Sequence, residues 1–211
     1  MIKYFIRTTG ERDISNYNVI DYTLLIDKER KPVKSFIDQL KIISDYDSVL
    51  LEDDVLLCRD FEKRINEAIE KYPNKIINFF QYFRMWQRTY ENIGKCFESN
   101  QCTYYPKGVA KVVAEKMEEL IARGEPYNKL PYDYLEAQAL DELQISYIIY
   151  RPMLVQHIGR SSIIGNPWHK RDPRSLFFID ILDDNNINYE DTREVFKFDK
   201  ENRKDFYEDI K

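Results

Sequence analysis

Glycine is scarce in this chain, 6 in 211 residues, and none of it gathers into the Gly-rich run that wraps nucleotide phosphates. That absence weakens a nucleotidyltransferase or phosphohydrolase reading, which needs such a loop or a second acidic pair on another strand. Cysteine is scarcer still. Cys58, Cys96 and Cys102 are odd in number and form no CxxC pair, which fits a reducing cytoplasm better than a disulfide framework. No stretch approaches the ~20 apolar residues that a membrane span needs. The segment Met1-Ile2-Lys3-Tyr4-Phe5-Ile6-Arg7 alternates and lacks the apolar core of a signal peptide, so the expected location is the cytoplasm. Positive charge is not in excess either. A net charge of -5 argues against a broad basic surface for gripping nucleic acid and leaves open only a local groove. Repeats and low-complexity linkers are also missing, and the length suits one well-buried core.

What is present reads as an α/β protein. Strands are expected over residues 2–7, 19–26, 45–51 and 75–80, bounded by turn residues. Pro32 suits a first helical turn ahead of Val33, Phe36, Ile37, Leu40 and Ile43. Asp60 suits an N-cap ahead of Phe61, Ile65, Ala68, Ile69 and Tyr72. Alternation of this kind predicts a mostly parallel sheet with covering helices. Residues 81–100 are aromatic and mixed in charge, and read as a long loop or short helices beside a cleft. Residues 103–105 form a brief strand. Pro106 is expected to start a helix bearing Val109, Val112, Val113, Met117, Leu120 and Ile121, with Gly124 as its stop. Pro131 opens another over residues 132–143, and strands follow at 145–150 and 153–158. The expected organisation is one domain over residues 1–165 and a charged C-terminal segment over 166–211.

Chemistry points first to Val49-Leu50-Leu51-Glu52-Asp53-Asp54-Val55, where three acids stand between two Val-Leu-Leu runs. An acidic run is ordinarily a solvated turn, and that reading stays open. Ionised carboxylates at an apolar boundary are costly unless paired or bound to a cation. At the carboxyl end of a strand they also lie where open α/β sheets place ligands. The sharper reading is therefore a site for Mg²⁺ or Mn²⁺, which prefer hard oxygen ligands and donor phosphates. Strand alternation would point Glu52 and Asp54 together and Asp53 elsewhere. His157, next to Gly159-Arg160-Ser161-Ser162, would complete a metal's coordination while Arg160, Ser161 and Ser162 hold phosphate oxygens. A half-buried histidine on a backbone carbonyl is the plainer alternative. His169 lies among Trp168, Lys170, Arg171 and Arg174, either a phosphate grip or a solvated loop. Asp133 opens a helix, where the helix dipole alone explains a carboxylate. The functional alternative is a general base for an acceptor hydroxyl. Arg7 and Asp27 end the first two strands, placed either for a nucleotide base or ribose or as an ordinary surface ion pair.

Taken in order, Leu51-Glu52-Asp53-Asp54, Tyr104-Tyr105-Pro106 before a long helix, Asp133 at a helix start and Gln156-His157-Ile158-Gly159 with Ser161-Ser162 resemble a glycosyltransferase of the GT-A fold. The likeness is to the small Leu-Glu-Asp-Asp enzymes of the lipopolysaccharide and collagen galactosyltransferase group. The chain is also similar to short glycosyltransferases encoded by bacteriophages. The resemblance covers residues 1–165 and implies a GT-A-like (Rossmann-like) mixed sheet and a nucleotide-sugar donor, often a UDP-sugar, held through Mn²⁺ or Mg²⁺. It makes Asp54 the main metal ligand, puts Glu52 or Asp53 on the metal or the ribose, and adds His157 as a further ligand. Asp133 would stand where an inverting enzyme keeps its base. The acceptor would be a saccharide or, on the phage likeness, a hydroxymethylated base of DNA in the host cytoplasm. Arg84, Arg88, Lys95, Lys107 and Lys111 would offer such DNA a local phosphate track. A non-catalytic nucleotide-binding module is the competing class.

Overall fold

The computed structural model describes residues 1–80, 89–93, 97 and 99–157. The chain runs β1 (Lys3–Thr8), a 3-10 turn (Ser15–Tyr17), β2 (Tyr22–Ile26), α1 (Pro32–Ile43), β3 (Ser48–Glu52), β4 (Val55–Leu57) and α2 (Phe61–Lys71). It continues through β5 (Ile76–Asn78), β6 (Tyr90–Asn92), β7 (Cys102–Tyr105), α3 (Val109–Ala122), α4 (Tyr132–Leu143), β8 (Tyr147–Ile149) and β9 (Val155–His157). Seven strands form one sheet in the order β2-β1-β3-β7-β5-β8-β6, and β4 pairs with β9 in a separate ribbon. β1, β2, β3, β5 and β8 run one way, while β6 and β7 run against them. The expected single-domain α/β architecture with a mixed, mostly parallel sheet is thus present.

Period-two alternation divides the interior. Tyr4, Ile6, Val49, Leu51, Ile77 and Tyr104 pack on one face with Phe61, Ile65 and Ala68 of α2. Phe5, Leu50, Ile76, Tyr105, Tyr147 and Ile149 pack on the other with α1, α3 and α4. Burying each Leu, Ile or Phe contributes about 1.5–3 kcal/mol, so both layers are strongly specified. The alternation carries through to the ends of the strands: Thr8 continues the α2 face, whereas Arg7 and Glu52 continue the face covered by α1, α3 and α4.

Several expectations shift. The second strand starts at Tyr22 rather than 19, because the chain first makes the 3-10 turn. Asp60 precedes α2 as expected but sits at φ 58 and makes no side-chain cap bond. Pro106 does not start α3. Gly108, at φ +85, supplies the left-handed turn that admits the chain to the helix, and its N–H donates to Ser44 O at 2.8 Å. The buried stripe of α3 uses Ala110, Val113, Ala114, Met117 and Leu120 and leaves Val112 exposed. Two alanines carried that face, where the larger valine was the more conspicuous signal. Cys58 and Cys102 are buried and free, and among the described residues no helix is long and apolar enough to cross a membrane.

Candidate functional site

β3 ends at Glu52, and Asp53 and Asp54 form a two-residue turn into β4. The turn resets the side-chain period, which corrects the expected pairing of Glu52 with Asp54. Asp53 and Asp54 point together, and Glu52 points away. A single nitrogen of Arg12, Nη1, donates to Asp53 Oδ1 at 2.7 Å and to Asp54 Oδ2 at 2.6 Å. Thr8 Oγ1 donates to Asp53 Oδ2 at 2.5 Å and itself accepts the Gly10 N–H at 2.8 Å. Tyr17, fully buried, locks the turn from behind. Its hydroxyl donates to Glu52 O at 2.5 Å and accepts the Val55 N–H at 3.2 Å.

The β4–β9 ribbon brings His157 to this turn by register, since Val55 lies opposite His157. His157 Nε2 stands 3.1 Å from Asp54 Oδ2, and both residues are buried, at 6% exposure each. Burial pushes the Asp54 carboxyl up, but His157 and Arg12 outweigh it and hold the group below its ordinary value. Asp54 Oδ1 is buried with no hydrogen-bond partner. A buried carboxylate oxygen left bare beside an imidazole nitrogen is a fitting half-shell for a hard divalent cation, which takes its other ligands from phosphates and water. Among the described residues, no three His, Cys, Asp or Glu side chains converge closely enough to hold a metal by themselves. Glu52 therefore does not join Asp54 and His157 as a third protein ligand in this conformation.

Glu52 serves the opposite face. It accepts the Tyr132 hydroxyl at 2.6 Å and pairs with Arg7 Nη1 at 3.5 Å. The Arg7 guanidinium stacks 4.8 Å from the Phe36 ring and 4.3 Å from the Tyr132 ring. Burial, then the nearby Asp54 charge, push Glu52 up against the opposing pull of Arg7. Arg7 thus forms a half-buried pair with Glu52 and none with Asp27. Asp27 stays at the end of edge strand β2, where its carboxylate takes the Lys31 N–H at 3.4 Å.

Asp133 lies in the first turn of α4, half-buried, and accepts the Tyr134 N–H at 3.0 Å as a helix N-terminus predicts. Its carboxyl is nonetheless raised. Desolvation outweighs the backbone N–H groups of Tyr134, Asp133 and Ser99 and the charge of Arg7. One turn on, Glu136 is fully buried and accepts Tyr105 OH and Asn100 Nδ2, both at 2.7 Å. Arg160, Ser161, Ser162, Arg84, Arg88, Lys95, His169 and the 166–211 segment lie outside the described residues. Lys107 and Lys111 are exposed, the latter paired with Glu115.

Arg12, Thr8, Tyr17 and Glu136 were not singled out by sequence. Glu136 carries a readable signal, an acid within Leu135-Glu136-Ala137 on the buried stripe of a helix. Arg12, in Gly10-Glu11-Arg12-Asp13, carries none.

No family model and no curated protein matches the chain. Among solved structures it is similar to the crystal structure of A197 from STIV, with a TM-score of 0.36 and 16% identity, over 55% of this chain and 67% of that one. A likeness at that level identifies neither a family nor an activity.

Proposed function

We propose that this protein is a metal-dependent glycosyltransferase of GT-A type that moves a sugar from a nucleotide donor, a UDP-sugar, to an acceptor hydroxyl. The observation that carries the reading is the Asp54–His157 pair, 3.1 Å apart and buried, with Asp54 Oδ1 bare beside it. Asp54 and His157 would hold Mn²⁺ or Mg²⁺, and the ion when bound would act as Lewis acid toward the departing diphosphate. Asp53, fixed by Thr8, keeps the second carboxylate beside them. Across the end of β3, Arg7 is locked by Glu52 and two rings, a rigid cationic wall for a ribose or base. Asp133 supplies the base. Desolvation raises its proton affinity above that of an ordinary carboxylate, the direction that suits taking a proton from a hydroxyl. The acceptor is a saccharide or a hydroxymethylated DNA base.

One observation favours a second reading, a nucleotide-binding module without turnover: Arg12 already bridges the two aspartates. The deciding experiment is calorimetric titration of nucleotide sugars with Mn²⁺ and then with EDTA, on wild type and Asp54→Ala. Metal-dependent binding of one donor, lost in Asp54→Ala with the fold intact, is expected. Donor binding that ignores both EDTA and the substitution would overturn the metal assignment, and binding without turnover or donor hydrolysis would select the module.

A further inference from the structure

Arg12 occupies the place where a cation belongs. Its Nη1 lies 2.7 Å from Asp53 and 2.6 Å from Asp54, and the two carboxylates are 7% and 8% exposed against 24% for Arg12. The acids contribute two negative charges and the guanidinium one positive charge, so Arg12 alone leaves one carboxylate charge of the turn unmatched. A divalent ion in the same place would balance it. Both cannot sit there: like charges within a few ångströms repel strongly in a partly desolvated site. Asp54 Oδ2 already faces both Arg12 and His157, and an ion that takes the bare Oδ1 of the same carboxylate comes up against the Arg12 charge.

The backbone around Arg12 is tied down. Gly10 N–H is held by Thr8 Oγ1, and Asp13 accepts the Ser15 N–H and hydroxyl at 2.9 and 3.0 Å. The side chain is long and a quarter exposed, so it can leave by rotating about its own bonds while the loop stays in place. Once out, a guanidinium anchored at this point remains within reach of phosphates on an ion seated at Asp54, and its fork matches phosphate oxygens.

We infer that Arg12 is the resident cation of the acidic turn, that a divalent metal is seated only by displacing it, and that the displaced guanidinium then holds the donor's diphosphate. Arg12 is on this view a positioning residue that couples metal entry to donor entry. The inference rests on the metal reading above, and its test separates the two. Mn²⁺ alone is titrated into wild type and Arg12→Gln, and then UDP is titrated in saturating Mn²⁺. Two charge-assisted hydrogen bonds are at stake, so Arg12→Gln is expected to bind Mn²⁺ alone roughly tenfold tighter, yet UDP with Mn²⁺ roughly tenfold weaker.

Equal Mn²⁺ affinity in the two proteins, with Mn²⁺-dependent UDP binding in both, would overturn the displacement and leave the metal site standing. Tighter Mn²⁺ with unchanged UDP affinity would overturn the diphosphate role. Absence of Mn²⁺ binding in either protein, with or without UDP, would remove the metal reading and this inference together. Thermal melts check that Arg12→Gln folds. If it does not, Arg12→Lys is read by the same titrations, because a point charge bridges two carboxylates less well than a guanidinium. Its Mn²⁺ affinity should also rise, and an unchanged value would count against the proposal.

Discussion

Among the described residues Glu136 has no ion-pair partner and accepts two neutral donors, Tyr105 OH and Asn100 Nδ2, with the Arg7 charge lowering its pKa only in part. Burial raises its pKa from 4.5 to about 8, the two hydrogen bonds pull it down less, and Asp133 adds to the rise. The folded chain therefore keeps a proton here that the unfolded chain releases. Stability from this group is full below 4.5, falls as pH rises toward about 8, and is level above that. Within the window the slope is at most about 1.4 kcal/mol per pH unit. Glu136→Gln should remove that slope in urea unfolding compared at about pH 5 and about pH 8. An equal slope in the variant would assign the pH dependence to other carboxyls. A half-turn of the Asn100 amide would present its oxygen to a protonated Glu136, and a glutamine could donate to it in the same way.

At the scale of elements, the site depends on two short pieces. The 3-10 turn delivers Tyr17 and Asn16, whose side chains hold Glu52 O, Val55 N and Val55 O at 2.5, 3.2 and 2.6 Å. Tyr17→Phe keeps the ring and leaves a buried carbonyl and N–H unsatisfied, so it should destabilise by ~2 kcal/mol in urea unfolding. Because the same bonds set the Asp53–Asp54 turn, Mn²⁺ affinity should fall with it. A loss of stability at unchanged Mn²⁺ affinity would show that the turn holds its shape alone. These pieces were the least legible in sequence. α1 and α4 start where Pro32 and Pro131 indicated and show strong apolar faces, since propensity, punctuation and burial agree there. β4, β6 and the antiparallel sense of β7 come from pairing across the chain, for which three or four residues hold no local record. The site shows the same divide. Asp54 and His157 were readable because their apolar flanks made them conspicuous. Arg12 was not, because its pairing with residues 41 and 42 positions away leaves no trace in its own surroundings.

Across the whole molecule, β3 acts as a partition. On one side of its end stand Thr8, Asp53, Asp54, Arg12 and His157, and on the other Arg7, Glu52, Tyr132, Asp133 and Glu136. On the proposed reading the ion and the diphosphate fall to the first group and deprotonation of the acceptor to Asp133 in the second. The proposed roles should therefore separate under mutation. Asp54→Ala should lose metal-dependent donor binding and transfer together. Asp133→Asn should keep donor affinity while transfer falls by about 10²–10⁴-fold, the usual share of a general base. In the proposed role Asp133 would act as a carboxylate, and desolvation raises its pKa above 3.8, so wild-type rate should fall as pH drops through that raised value. The residual rate of Asp133→Asn should lack this limb. Should the variant retain full activity with the limb intact, Asp133 would be no more than the acid that a helix N-terminus favours, and the proton would have to leave through another group on the Arg7 side of the partition.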